Sequence, residues 1–121
     1  EYLLPLLDRW KPLVAHCGKG LQEGWFAPDG NGDYLFDFSH AWGGTPAYQL
    51  PVSLLGLEVV EPGWRTIRLD PQLYGLAYAD ISVPTPYGFI HCHMEQGSAP
   101  ELTVPPQIRV LNTAVPAVCT G

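Results

Sequence analysis

At 121 residues the chain is long enough for one domain, and 12 acidic against 6 basic side chains give it a formal charge of −6 at pH 7. Arg9, Lys11, Lys19, Arg65, Arg68 and Arg109 are scattered along it, which argues against the clustered basic surface that nucleic acid or an anionic membrane requires. Only 15% of residues are charged while 12% are aromatic, a balance that excludes disorder and suits a buried core and contact with neutral polar ligands such as sugars.

The chain opens on Glu1 and runs straight into an apolar stretch, so it reads as a piece of a longer protein. Leu3, Leu6, Leu7, Trp10, Leu13 and Val14 recur at intervals of three and four, the spacing of one helical face, with Gly18 as a stop. Pro5 fits a first turn. Pro12 does not, because it lacks an amide donor and clashes with the preceding turn, so a kink or a regular helix starting after Leu13 is expected. Apolar runs such as Leu3 to Leu7 fall far short of the roughly 20 residues that cross a bilayer.

The glycines, prolines and aspartates between Gly18 and Ser39 describe a long connection, of a length that compact proteins seldom keep without a function. A second helix is expected from Thr45 and Pro46 to Leu55, with Gly56 as its left-handed terminus and Pro51 bending it. Beyond Gly56 the pattern changes to short β-rich runs, RTIRL, LAYADISV, GFIHCHME, ELTV and QIRVL, set apart by EPGW, DPQLYG and PTPYG. That spacing predicts antiparallel strands in a sandwich. The expected fold class is therefore α+β, with residues 1–56 helical and 57–121 a β unit. Two striped helices and a small β unit leave apolar surface that needs further partners.

Several residues carry chemistry. Asp29, Asn31 and Asp33 have the alternating oxygens of a calcium loop, but Tyr34 and His40 stand where an EF-hand needs Gly and Glu, and an ordinary turn is the expected reading. His91 and His93 share one face of a strand without the further ligands of a zinc site. Cys17, Cys92 and Cys119 show neither a disulfide framework nor a C-x-x-C spacing. No metal or other cofactor is expected. Glu23 lies between Leu21 and Trp25; burial beside an indole would raise its pKa toward that of a general base, and a solvated loop carboxylate is the alternative. His40 and Trp42 stand where the loop gives way to the second helix. Each has a structural reading, as a loop hydrogen bond or as core filling. Glu23, Trp25, His40 and Trp42 together suit a sugar pocket, in which indoles stack on a pyranose and polar groups bind its hydroxyls.

SHAWGGTPAYQLPVSLLGLEVVEPGWRTIRLDPQL, residues 39–73, and VPTPYG, residues 83–88, resemble the carboxy-terminal region of bacterial and fungal α-L-rhamnosidases. The resemblance covers nearly the whole chain and is most specific in SHAW, LLGL, EPGW and the proline-rich turn. It implies the last helices of an (α/α)6 six-hairpin barrel followed by a C-terminal β-sandwich domain. It also implies an inverting glycosidase whose general base is Glu23 in QEGW, with His40, Trp25 and Trp42 holding the sugar. The general acid would come from upstream of Glu1, so this chain alone is expected to be inactive. The implied partners are a rhamnose-containing glycoside or polysaccharide and the rest of the barrel. A noncatalytic carbohydrate-binding or structural module, and another six-hairpin glycosidase, are the competing expectations.

Overall fold

The computed structural model describes residues 3–16, 25, 29–31, 41–111 and 117–119; the side chains of residues 16, 42 and 117–119 lie outside the description. The chain divides into two compact units, Glu1–Gln49 and Leu50–Gly121. The last turns of the second helix, from Leu50 on, fall in the second unit.

Helix α1 spans Leu3–His16 and contains Pro12. The expected start after Leu13 is corrected: the helix begins at Leu3, with Pro12 inside it. Pro12 removes a single backbone donor, and an ion pair between Lys11 and Asp8, 2.6 Å, spans the same turn. Of the predicted stripe Leu13 is buried, whereas Leu6 and Val14 are exposed, and Leu4 beside them is exposed too. Leu3, Leu7 and Trp10 are half-buried, so the apolar stripe of α1 is only partly covered.

Helix α2, Thr45–Leu55, follows a 3-10 turn at Ala41–Gly44. Its end shows a complete account of backbone hydrogen bonds. Gly56 takes φ +56°, its N–H donates to Ser53 O at 3.2 Å, and the N–H of Leu57 donates to Val52 O at 2.9 Å. That pair of bonds is a Schellman terminus. The next two carbonyls are reached by the chain returning from the strands: Asp70 N–H donates to Leu55 O at 2.9 Å and Gln72 N–H to Leu54 O at 2.8 Å. All four carbonyls that a helix end leaves open are satisfied.

Seven strands follow among the described residues: β1 Glu58–Glu61, β2 Thr66–Arg68, β3 Tyr78–Thr85, β4 Gly88–Glu95, β5 Glu101–Val104, β6 Arg109–Leu111 and β7 Ala117–Cys119. They form a three-stranded sheet ordered β1-β2-β6 and a four-stranded sheet ordered β3-β4-β5-β7. The all-antiparallel expectation is corrected here, since β2 pairs with β6 and β5 with β7 in parallel. Sequence spacing reports strands but not the direction of partners that are far apart in the chain.

The alternation of β3 and β4 fixes their register. Ala79, Ile81 and Val83 lie opposite Met94, Cys92 and Ile90, and Cys92 lies opposite Leu102 on β5; all seven are buried. A slip of one residue would turn this whole set to solvent. Leu55, Ile67, Leu69, Ile90, Met94 and Val104 are fully enclosed, and each such side chain stabilises the fold by about 1.5–3 kcal/mol. The β3–β4 hairpin closes at Thr85 and Gly88, where Thr85 Oγ1 donates to Gly88 O at 2.6 Å and accepts from Tyr87 N–H at 3.1 Å.

Candidate functional site

Glu23 and His40 lie outside the described residues, as do Gln22 and Asp33. Trp42 sits on the 3-10 turn that feeds α2, with its side chain outside the description. Trp25 is the predicted pocket residue whose side chain is described. It is 42% exposed. Its ring stands against α1: Trp10 meets it edge to face, with centroids 4.9 Å apart and planes at 72°, and the guanidinium of Arg9 lies 4.3 Å from its centroid.

Those contacts bring the chain back by residue 25 to the level of Arg9 and Trp10. The return from the end of α1 is about 10 Å at 1.5 Å per residue. An edge-to-face aromatic pair contributes about 0.5–1.5 kcal/mol and an exposed cation–π contact about 0.5–1 kcal/mol. Together they hold Trp25 against α1. Sequence reasoning placed Trp10 in a helical stripe and gave Arg9 no role. No local signal joins residues fifteen apart.

The outer face of the four-stranded sheet carries the polar half of the alternation. Asp80 lies opposite His93 and Ser82 opposite His91, while Glu101 and Thr103 on β5 face the same two histidines. His93 Nδ1 is 2.6 Å from Asp80 Oδ1, and His91 Nδ1 is 2.8 Å from Ser82 Oγ. The hydrogen bond and charge of Asp80, followed by the charges of Glu101 and Glu95, outweigh desolvation and raise the His93 pKa above the ordinary imidazole value. His91 also stacks on Phe89, with centroids 5.7 Å apart. Each histidine has a cross-strand partner, and among the described residues no group of three or more His, Cys, Asp or Glu could hold a metal. At residues 29–31, Asn31 N–H donates to Asp29 Oδ1 at 2.8 Å, the geometry of an Asx turn.

A groove of about 310 Å³ lies between Pro71–Leu73 and the β4–β5 turn, with buried Met94 among its lining. No predicted pocket residue lines it.

The chain is similar to a segment of a solved glycosidase. The crystal structure of a GH78 family rhamnosidase of Bacillus sp. GL1 matches with a TM-score of 0.63 and 27% identity, over 95% of this chain and 14% of that one. The fold is that of a segment from a glycoside hydrolase. More particularly, the family model of the bacterial α-L-rhamnosidase C-terminal domain matches residues 56–116, and the chain belongs to that family. No curated protein matches the chain.

Proposed function

We propose that this chain is the carboxy-terminal part of an α-L-rhamnosidase that removes terminal α-L-rhamnose from glycosides with inversion at the anomeric carbon. The observation that carries the proposal is the match to the GH78 rhamnosidase over 95% of the chain, joined with the family assignment of residues 56–116. In this reading α1 and α2 are the last helices of an (α/α)6 barrel, and the sheets form the β-sandwich domain that follows it in the chain. The exposed Leu4, Leu6 and Val14 of α1 support it, because a further helix packed there would cover them.

Glu23 acts as the general base. Its carboxylate takes a proton from a water molecule as the oxygen attacks the anomeric carbon. A carboxylic acid from a segment upstream of Glu1 protonates the leaving oxygen, and the two carboxyls stand about 6.5–9.5 Å apart to leave room for the water. Trp25, Trp42 and His40 hold the rhamnose, the indoles against its apolar face and the imidazole at a hydroxyl. No step needs a cofactor.

Hydrolysis of an aryl α-L-rhamnoside by the full-length protein, followed by proton NMR, tests this reading. β-L-Rhamnose should form first and then mutarotate. Initial release of the α-anomer, or no cleavage of any rhamnoside, overturns it.

A further inference from the structure

We propose that Arg9 and Trp10 are positioning residues: they clamp Trp25 against α1 and thereby set the affinity of the rhamnose pocket. The inference rests on the reading of Trp25 as a sugar-holding residue.

The clamp follows from helix geometry. Consecutive residues of a helix project about 100° apart at 3.6 residues per turn. One indole can touch both Arg9 and Trp10 only by lying in the angle between them, and Trp25 does so at 4.3 Å and 4.9 Å. Each partner restrains a different motion. The guanidinium lies over the ring and opposes tilting, whereas the indole of Trp10, at 72° to the Trp25 plane, opposes sliding along the helix. Arg suits this work because its planar, weakly hydrated head stacks on aromatic faces and stays charged at every working pH.

Trp25 remains 42% exposed under the clamp, so its ring is still open to a ligand. A fixed, open indole binds a sugar without first losing rotamer freedom, which is the general advantage of preorganisation.

Arg9→Met keeps a long apolar stem and removes the cation, and Arg9→Lys restores the cation without the planar head. Both are made in the full-length enzyme, where KM and kcat are measured on an aryl α-L-rhamnoside. Orientation of Trp25 is followed by the exciton couplet of its pair with Trp10, taken as the circular-dichroism difference from Trp10→Phe. Arg9→Met should weaken the couplet and raise KM about 2- to 5-fold, the worth of an exposed cation–π contact, with a smaller change in kcat. Arg9→Lys should recover part of both. If Arg9→Met leaves the couplet or KM unchanged while Trp25→Ala raises KM, the clamp is refuted and the pocket reading stands. If Trp25→Ala alters neither KM nor kcat in an active enzyme, or the enzyme cleaves no rhamnoside, the pocket reading and the clamp fall together.

Discussion

Replacing Gly56 by Ala should damage the joint between α2 and the strands more than the same change at Gly30, Gly44, Gly63, Gly88 or Gly97. The new Cβ would stand 2.5 Å from Asp70 O, 2.9 Å from its Cβ and 3.0 Å from its carbonyl carbon. Backbone atoms cannot step aside as a flexible side chain can, so residue 70 must retreat. Its N–H bond to Leu55 O is then lost or stretched, at about 0.5–1.5 kcal/mol. Holding an L-residue at φ +56° adds about 1–2 kcal/mol. The sum, with some strain at Gln72, is about 2–4 kcal/mol. Hydrogen exchange of the Leu57, Asp70 and Gln72 amides reads it directly, as a loss of protection of about 30- to 1000-fold at 1.36 kcal/mol per decade. Gly63→Ala is the control, since Gly63 also has positive φ, +77°, but nothing lies within 4 Å of its added Cβ. It should cost only the backbone term. Equal costs for the two variants, or a Gly56→Ala cost below about 1 kcal/mol, would refute the reasoning.

His93 should titrate above the ordinary imidazole value, and Asp80→Asn should bring it down, as read by NMR of the imidazole protons. Because its folded pKa is raised, the stability it contributes is fully present below the unfolded value of about 6.5 and is lost as pH rises through the folded pKa. Wild type and Asp80→Asn should therefore differ in Tm on the acid side of that window and converge above it. Cys92 is buried, and desolvation pushes its thiol up to about 11; it should resist alkylation at pH 8 in the native protein and react on unfolding, as residue-resolved mass spectrometry would show. The 121-residue chain by itself should show no turnover of an aryl α-L-rhamnoside, because in the proposed mechanism the acid comes from elsewhere; measurable hydrolysis by it would contradict that division of labour.

The elements most legible in the sequence were those whose ends are written in backbone chemistry. Thr45–Leu55 was recovered at both ends: Thr45 and Pro46 mark its start, and Gly56, where an added Cβ would stand 2.5 Å from Asp70 O, marks its end. β3, β4 and β5 were legible because one face of each is buried and the alternation is complete. β1 escaped because it has no buried face: all four of its residues are exposed, and a bulge between Val59 and Glu61 breaks the pairing with β2. β7 escaped because Ala117, Val118 and Cys119 show no apolar–polar alternation. Pro12 misled in the other direction, since the loss of one donor was outweighed by the rest of α1. The site was legible only as residue types. Trp25 could be named from its loop, yet its contact with Arg9 and Trp10 depends on the path of the chain between them.

The central claim is that Glu23 supplies the base of a rhamnoside-cleaving site, and the kcat of Glu23→Gln in the full-length enzyme tests it most directly. The substitution keeps the volume and most hydrogen bonds but removes the basic lone pair. A positioned general base contributes about 10² to 10⁴ in rate, so kcat should fall by that factor with little change in KM, the pattern of an interaction made mainly in the transition state. A near wild-type kcat across the acidic limb of the pH profile would contradict the account and leave Glu23 as a loop carboxylate.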